Sequence, residues 1–356
     1  MADLPLVVVV GGINMDIQAR SSGPLLLGDS NPGQVTWSPG GVGRNIAENL
    51  VALGLRVELV TVLGDDLLSR ELEASCARVG LGLAGALRVP GCRASQYLCL
   101  LDSDGRLAGA VAAMESFDRL LPAVLAERAS LLDSATLIVV DANIPEASIG
   151  WLARRYGPAR AAGLPPLALD PVSAAKASRA SPWLGSFVFA KPNRAEASVL
   201  AGNLPPSGPA EGVGAGAISA AAGRSAASPE PGLGCDPARL ALSLRAKGLR
   251  EVFLSLAEEG LYYEGPGPRG EELRGFVRPP RALPAGLAPV NVSGAGDAAC
   301  AALAWGLVRG EGIPDRARFA LAAAMATAAS PSTVAADLRA SRLIELAQGV
   351  IHEPLP

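Results

Sequence analysis

Short apolar runs alternate with amphipathic segments along most of this chain. Leu6–Val10 has the length of a buried strand and is stopped by Gly11 and Gly12. Residues 44–53 place their apolar side chains on one helical face, with Gly54 following as a stop signal. The same reading predicts strands at 57–63, 137–140, 166–169, 187–189, 252–256 and 260–263, and helices at 67–79 and within 298–348. This alternation predicts an α/β fold with a mostly parallel sheet between two helical layers.

Three stretches depart from the alternation. Residues 94–101 and 105–112 predict a hairpin that turns at Asp102-Ser-Asp-Gly105. Residues 24–39 scatter Gly, Pro and Ser among short β-like pieces, which indicates a small excursion from the core. Residues 204–235 consist largely of Gly, Ala, Ser and Pro, so we interpret them as a flexible surface insertion within a single domain of about residues 1–350.

Composition narrows the class of protein. The 356 residues are 49% apolar and 18% charged with a net charge of −3, as expected for a compact enzyme. No Lys/Arg cluster stands out, which argues against a nucleic-acid polymer or an acidic membrane as partner. The N-terminus lacks the basic flank of a secretory signal, and no stretch approaches the ~20 apolar residues that span a bilayer. We therefore expect a cytoplasmic location.

The number and spacing of cysteines and histidines limit the kinds of catalytic and metal site that the chain can form. Five cysteines are present without CxxC spacing, which indicates reduced thiols. The single histidine, His352, lies in a tail bounded by proline. Catalysis by a Ser–His relay and a His-rich zinc site are both poorly supported by such a sequence.

The most informative motif is Asn291-Val-Ser-Gly-Ala-Gly-Asp297, which runs directly into an Ala-rich predicted helix. The free N–H groups of a Gly-rich turn and of a helix N-terminus converge on one spot, where a phosphate or developing anion can bind. Asp297 stands beside that spot and could accept a proton from an attacking hydroxyl. Asp is also a common N-cap, so the motif alone fits an ordinary helix start equally well.

Two motifs near the N-terminus suggest a site for a polyol. Gly11-Gly-Ile-Asn-Met-Asp16 follows the first strand, and side chains two apart in an extended segment share a face. Ser38-Pro-Gly-Gly-Val-Gly-Arg-Asn45 combines glycines that permit close backbone approach with an exposed amide. A plain strand-to-turn transition explains the first motif as well. Neither GxxxxGK[ST] nor a GxGxxG after the first strand is present, so no standard phosphate loop applies.

Several polar residues follow predicted strands, where α/β sheets bind ligands. They are Asp141, Asp170, Lys191 and Asn193. Asn193 and Glu196 lie three apart on a first helical turn, where they could reach a Mg²⁺-bound water or a phosphate. The same spacing defines a capping box, and both roles can hold together. Asp170-Pro-Val-Ser173 is a weaker site candidate, since turn chemistry explains it.

Taken together, these motifs resemble those of the ribokinase-like (PfkB) carbohydrate kinases in order and spacing, over about residues 6–348. Within that family the sequence is most similar to the pseudouridine kinases, through motifs that include Tyr97-Leu-Cys-Leu-Leu-Asp102, Asp141-Ala-Asn-Ile144 and Asp170-Pro-Val-Ser173. The resemblance implies a three-layer α/β/α body with a small β-sheet lid, from about residues 16–39 and 94–113. It also implies ATP and Mg²⁺ as cofactors and a small sugar or nucleoside as substrate.

The resemblance assigns roles to individual residues. Asp297 is expected to be the base for a 5′-hydroxyl, with the amides of Gly294, Ala295 and Gly296 as anion hole. The expected sugar contacts are Asn14, Asp16, Gly40, Gly41 and Asn45. The expected nucleotide contacts are Asn193, Glu196, Ser255 and Gly260, with Glu196 holding Mg²⁺ through water. Relatives often dimerise through the lid, so a homodimer is one expectation.

Two positions depart from the family pattern. Ala257 replaces a usual glycine near the nucleotide phosphates, and Asn291 replaces an aspartate that helps many relatives hold a monovalent cation, which argues against K⁺ activation. The expected activity is phosphorylation of pseudouridine by ATP. The alternatives are a ribokinase, fructokinase or nucleoside kinase acting on another furanose, and a non-catalytic sugar- or nucleoside-binding protein on the same scaffold.

Overall fold

A nine-stranded mixed sheet forms the body of the computed structural model, which describes residues 4–157, 163–203, 236–284 and 286–356. The strands of the chain are β1 Leu6–Val10, β2 Asn14–Ser21, β3 Gly33–Gly40, β4 Arg56–Val60, β5 Val62–Leu63, β6 Leu87–Arg88, β7 Gln96–Leu101, β8 Leu107–Ala113, β9 Leu137–Asp141, β10 Leu167–Asp170, β11 Phe187–Ala190, β12 Glu251–Ser255, β13 Leu261–Pro266, β14 Glu272–Arg278 and β15 Ile351–Leu355. The body sheet has the order β15-β14-β13-β12-β11-β10-β9-β1-β4. It is parallel from β12 to β4 and antiparallel from β12 to β15.

Helices cover both faces of this sheet. They are α1 Val42–Ala52, α2 Leu67–Val79, α3 Pro122–Glu127, α4 Ala129–Asp133, α5 Glu146–Tyr156, α6 Ala174–Ala177, α7 Arg194–Ala201, α8 Pro237–Ala246, α9 Ala295–Val308, α10 Ile313–Ala328 and α11 Ala340–Gln348. Short 3-10 helices occupy Glu115–Arg119, Ser181–Ser186 and Ala257–Glu259. None of the helices in the described ranges is long and apolar enough to span a membrane.

The alternation of side chains along β1 explains why the core has two halves. Val7 and Val9 pack into the half that contains α1, α9 and α10, whereas Val8 and Val10 pack into the half that contains α5, α7 and α8. Successive residues of a strand point to opposite faces, so a strand buried on both faces must be apolar throughout. The uninterrupted valines of β1 meet that requirement.

A second sheet of four strands, ordered β3-β2-β7-β8, forms the lid. β2 continues from the end of β1 after a three-residue turn, and β3 leads directly into α1. The lid is therefore joined to the body at the two segments that carry the polyol motifs. The hairpin predicted at 94–112 is present as β7 and β8.

The structure confirms the predicted α/β fold with its parallel sheet and lid, and it changes several details. The strand predicted at 57–63 divides at Thr61, with β4 in the body sheet and β5 paired to β6 in a small separate sheet. The strands β14 and β15 were not predicted, and β15 extends the body sheet beyond residue 350. The insertion predicted at 204–235 lies outside the described residues.

Candidate active site

A buried carboxylate organises the end of β1. Asp141 Oδ2 accepts hydrogen bonds of 2.8 Å from the backbone N–H groups of both Gly12 and Gly43, and Oδ1 accepts one of 2.6 Å from Asn143. Burial raises the pKa of Asp141, and the amides of Gly12 and Asn143 oppose that rise. A Cβ at Gly11 would lie 2.6 Å from Oδ2, so this packing requires glycine there. Asp141 thus fixes the first motif against the start of α1.

Asn14 and Asp16 form one corner of the site, at the start of β2. Asn14 Nδ2 donates a hydrogen bond of 2.6 Å to Asp16 Oδ1, and Asn14 lies opposite Gly40 of β3. A Cβ at Gly40 would lie 2.1 Å from Asp16 Oδ2, so the carboxylate occupies the space that the glycine leaves. Burial raises the pKa of Asp16 to about 6, although the Asn14 hydrogen bond and the charge of Arg44 oppose it.

The loop before α1 brings Asn45 to the same corner. Gly41 is the N-cap of α1 with a φ of 101°, and a Cβ there would lie 2.7 Å from the carbonyl oxygen of Gly12. The amide of Asn45 donates to the Gly41 carbonyl over 2.8 Å as the helix begins. Its side chain reaches Asp297, where Asn45 Nδ2 donates to Oδ2 over 2.9 Å. The polyol motifs and the last motif, 252 residues apart, therefore meet.

Asp297 lies in the first turn of α9, and Gly294 is the N-cap. The idea that Asp297 caps this helix is therefore wrong. Gly294 has a φ of 79°, and a Cβ there would lie 1.9 Å from the carbonyl oxygen of Thr333, so no larger residue fits. The amide of Ala295 makes a long hydrogen bond of 3.3 Å to Val292. The amides of Gly296 and Asp297 belong to the first turn, which has no acceptors within the helix.

The carboxyl group of Asp297 is far less acidic than an exposed aspartate. Burial, and after it the charge of Asp170, raise its pKa to about 7 against the Asn45 hydrogen bond and the charge of Lys191. A helix N-terminus alone would favour the ionised form. Desolvation outweighs that preference here because Asp297 is only 8% exposed. A group of this pKa can both accept and release a proton near neutrality.

Lys191 is the buried cation of the site. Its Nζ lies 3.6 Å from Asp170 Oδ2 and would lie 3.3 Å from a Cβ at Gly296, which places it beside the first turn of α9. Burial by itself would lower the pKa of Lys191, but the carboxylates of Asp170 and Glu196 outweigh it and raise the pKa. Lys191 therefore remains a cation beside the carboxylates of Asp170 and Glu196.

Asp170 is held by a strained turn at the end of β10. Val172 has a φ of 69°, and Ser173 donates to the carbonyl of Pro171 over 2.8 Å, the pattern of a γ-turn. The amide of Val172 also donates to Asp170 Oδ1 over 2.9 Å. Positive φ is unusual for a β-branched residue, and such strain is concentrated at functional sites. The weak candidate segment 170–173 is thus a turn, as expected, but one with backbone strain at Val172.

The residues predicted for the nucleotide side also come together. Asn193 and Glu196 form the capping box of α7: Glu196 Oε2 accepts from the Asn193 amide and Asn193 Oδ1 accepts from the Glu196 amide, both over 2.9 Å. Ser255 bridges to Asn193 at the end of β12. Gly260 closes the next turn with a φ of 103°, and Ala257 has a positive φ of 52° although it is not glycine.

Glu196 fits a water-mediated role toward Mg²⁺. Burial, opposed by Lys191 and reinforced by Asp170, raises its pKa to about 7. Both carboxylate oxygens accept a hydrogen bond from Asn193, yet each keeps a second lone pair. Within the described ranges, no three His, Cys, Asp or Glu side chains form a metal cluster. Mg²⁺ usually retains several waters and relies on few protein carboxylates, which suits this arrangement.

Sequence reasoning missed one signal, the rarity of lysine. The chain has three lysines among 31 basic residues, Lys176, Lys191 and Lys247. Lys191 is buried and Lys176 largely so, and both lie at the carboxyl ends of the parallel strands, whereas Lys247 is exposed. Two of the three lysines thus lie at this edge of the sheet, where an ammonium group is a more compact cation than a guanidinium group.

Comparison with known proteins adds independent information. The model of the pfkB family carbohydrate kinases matches residues 4–222 and 236–339. The chain is 31% identical over 348 residues to a pseudouridine kinase of Escherichia coli (strain K12), covering 98% of each protein. A carbohydrate kinase from Agrobacterium tumefaciens has a similar structure, with a TM-score of 0.78 at 23% identity, covering 99% of this chain and 100% of the other. An Arabidopsis thaliana ribokinase complexed with ribose and ATP gives 0.70 at 19% identity, covering 97% and 99%.

Proposed function

The chain belongs to the pfkB family of carbohydrate kinases, and from its site we propose that it transfers the γ-phosphoryl group of ATP to the 5′-hydroxyl of pseudouridine. Family membership makes it a phosphotransferase of the sugar and nucleoside kinase type. The observation that carries the proposed mechanism is the contact between Asn45 and Asp297, which joins a polyol corner to a buried acid at a helix N-terminus.

Asp297 is the proposed base. Asn14 and Asp16, with the backbone of Gly40 and Gly41, bind the ribose hydroxyls. Asn45 engages Asp297 Oδ2, so we assign the proton of the 5′-hydroxyl to Oδ1. A base whose pKa is about 7 matches neutral pH, and burial supplies that pKa. The transition state of phosphoryl transfer is loose, so the alignment of this hydroxyl contributes more than base strength.

The first turn of α9 is the proposed anion hole. The amides of Gly294, Ala295 and Gly296 line the turn, and Lys191 adds a positive charge behind Gly296. Each donor aimed at the developing charge contributes about 3 kcal/mol when water is excluded. Bound Mg²⁺ would neutralise charge on the transferring phosphate, with Asn193 and Glu196 holding its water shell. Ser255 and Gly260 contribute backbone around the nucleotide.

We expect no activation by K⁺, because Asn291 has an uncharged side chain that hydrogen-bonds to neighbouring backbone groups. Its Nδ2 donates to the carbonyl of Pro331 over 3.2 Å and its Oδ1 accepts from Ser293 over 2.9 Å. An aspartate could not donate to Pro331. The side chain thus stabilises the loop before α9 in place of a cation-binding carboxylate.

The choice of pseudouridine rests on the likeness to the Escherichia coli enzyme over 98% of both chains. Ribose, fructose and other nucleosides are the competing substrates. A panel of these compounds with MgATP, read by ADP release, decides between them. The highest kcat/KM on pseudouridine supports the proposal, and a higher value on ribose or fructose contradicts it.

The Asp297→Asn variant tests the mechanism. We expect it to bind pseudouridine with a Kd close to that of the unchanged protein and to lose at least ~10³-fold in kcat. Asp315→Asn is a matched control, since Asp315 also lies in the first turn of a helix, α10, but is exposed. Near-normal turnover by Asp297→Asn in a coupled assay would show that this acid is not the base.

A second copy of the chain is the proposed partner of the lid. Trp37, Leu98 and Val111 lie in one row across the lid sheet through Ile17, and they are 70%, 42% and 65% exposed. A two-fold axis would pair this apolar row with itself. Sedimentation should then show a dimer that Trp37→Glu dissociates. Leu242→Glu, at a similarly exposed position on α8, is the control.

The cytoplasmic location expected from the sequence also stays a prediction.

A further inference from the structure

Two polar side chains lie beside the polyol corner without a role in the phosphoryl transfer described above. Lys176 Nζ donates a short hydrogen bond to Asn143 Oδ1. Asn143 is 8% exposed and follows β9, whereas Lys176 lies on α6 after β10. Both strands end at the carboxyl edge of the parallel sheet, where α/β proteins bind ligands. The pair is therefore placed with the site.

The position of this pair along the site follows from contacts through the glycine corner. Gly41 packs against the carbonyl of Gly12, and a Cβ on Gly12 would lie 3.5 Å from Asn143 Nδ2. The corner thus has Asn45 and Asp297 at one end and Asn143 and Lys176 at the other. A ribose that lies along this corner with its 5′-hydroxyl at Asp297 would direct its C1′ substituent toward the second end.

The second end, formed by Asn143 and Lys176, presents hydrogen-bond donors. Lys176 occupies the Oδ1 acceptor of Asn143, which leaves the Nδ2 hydrogens of Asn143 and the remaining hydrogens of Lys176 as donors. Burial lowers the pKa of Lys176, and Asp141 opposes that change. Such a surface recognises oxygen acceptors.

Phe117 provides a flat apolar neighbour for the same space. Its ring carbons would lie 3.0 Å from a Cβ on Gly12. Among the residues that the structure describes, it is a buried aromatic that belongs to neither half of the core. An aromatic ring beside hydrogen-bond donors is a common environment for a planar heterocycle.

We infer that Lys176 and Asn143 bind the carbonyl oxygen next to the glycosidic bond of a pyrimidine-type nucleoside, and so set the specificity of the site. This inference rests on the proposed nucleoside kinase function. The base of pseudouridine and that of uridine both carry such a carbonyl beside the glycosidic atom, whereas the base of adenosine does not. The pair therefore selects for pyrimidine nucleosides and against adenosine and bare sugars.

The test uses a C-nucleoside without acceptors. Phenyl C-riboside keeps the ribose and a flat ring but lacks the carbonyl. We expect the unchanged enzyme to prefer pseudouridine over phenyl C-riboside by roughly 10- to 100-fold in kcat/KM, as for one charge-assisted hydrogen bond. Lys176→Met should lower that preference at least tenfold, mainly through a higher KM for pseudouridine. Lys247→Met, which changes the exposed lysine, is the control and should keep the preference.

A second variant covers the case in which Lys176→Met does not fold. Asn143→Asp retains a partner for Lys176 but replaces the donor with an acceptor, so it should also lose the preference for pseudouridine. Loss of activity on both substrates in equal proportion would mean that the pair only supports the loop, and it would overturn the inference. An unchanged preference in both variants would overturn it as well.

Failure of the proposed function gives a different result. In that case the unchanged enzyme phosphorylates neither nucleoside. Calorimetric binding of pseudouridine and phenyl C-riboside then decides the inference. At least tenfold tighter binding of pseudouridine that Lys176→Met removes supports it, and equal binding of the two compounds overturns it.

Discussion

Asn45 Nδ2 donates a hydrogen bond of 2.9 Å to Asp297 Oδ2, joining the first helix of the body to the helix that carries the proposed base. Arg44 orients the amide, since its Nη1 lies 3.4 Å from Asn45 Oδ1 on the opposite side. The bond favours the ionised carboxylate, whereas burial and the charge of Asp170 favour the protonated one. The protonation of Asp297 is therefore set by neighbours that can be changed one at a time.

Removing the amide donor should make the base harder to ionise. For the unchanged enzyme we expect the acid limb of the kcat/KM profile near pH 7, and for Asn45→Ala we expect it at higher pH. Asn45→Asp should move it further, because a like charge then adds to the lost hydrogen bond. The order of the three midpoints is the readout, because Asn45 is also a proposed substrate contact and its substitution is expected to change KM as well. A midpoint that falls in either variant would contradict this account.

Neutralising Asp170 should have the opposite effect. Asp170→Asn keeps the acceptor for the Val172 amide and removes the negative charge beside Asp297 and Lys191. The pKa of Asp297 should then fall, because the negative charge of Asp170 no longer favours the protonated form and Lys191 is freed to favour the carboxylate. The acid limb should move below pH 7. An unmoved limb in a variant with an unchanged melting temperature would show that Asp170 does not influence the base.

The buried acid should also cost stability in the free protein. The pKa of Asp297 is about 7 in the folded chain and near 3.8 when unfolded, so the folded state binds the extra proton. The stabilisation that comes from binding this proton is complete below pH ~3.8 and is lost as the pH rises through 7. Asp297→Asn should therefore exceed the unchanged protein in unfolding free energy by roughly 1–3 kcal/mol at pH 8.

Urea unfolding at pH 8 and pH 5 without ligands measures that difference. The advantage of Asp297→Asn should shrink at the lower pH. Asp315→Asn, an exposed acid at the matching helix position, should stay within about 0.5 kcal/mol of the unchanged protein. Equal effects of Asp297→Asn at both pH values would mean that the carboxyl group is not desolvated as the structure indicates.

Much of this architecture was predictable because neighbouring residues in the sequence determine it. The valines of β1 and the glycine stops around α1 specify elements through periodicity and backbone freedom, and both can be read from neighbours in sequence. The capping box at Asn193 was predicted for the same reason. Strand β15 was not predicted because its apolar and polar side chains alternate little, and its position is fixed by pairing with β14.

The electrostatics of the site could not be predicted from neighbours in sequence. The carboxyl group of Asp297 is desolvated by elements far away in the chain, and Asp170, Lys191 and Asn45 reach it from three different strands or helices. The positive φ of Val172 likewise reflects tertiary packing, since Val is a poor choice for that conformation. Asp170 and Lys191 were expected at the ends of strands and Asn45 in a separate motif, but no local pattern indicates how these side chains change the pKa of Asp297.

Glycine at position 294 avoids both backbone strain and a steric clash, and a matched pair of variants can distinguish the two effects. Gly294 and Gly310 have nearly equal φ values of 79° and 76°, but a Cβ at Gly294 would lie 1.9 Å from the Thr333 carbonyl, and one at Gly310 meets nothing within 4 Å. Gly310→Ala should cost only the left-handed conformation, about 1 kcal/mol, and keep full activity.

Gly294→Ala must in addition push the first turn of α9 away from the loop at Thr333, which displaces the amides of the proposed anion hole. We expect kcat to fall at least ~100-fold and the unfolding free energy to fall by more than 2 kcal/mol. Circular dichroism melts and the ADP-release assay on both variants make the comparison. Equal losses in the two would mean that positive φ alone accounts for the glycine, and that the turn at Gly294 has room to move without harm to phosphoryl transfer.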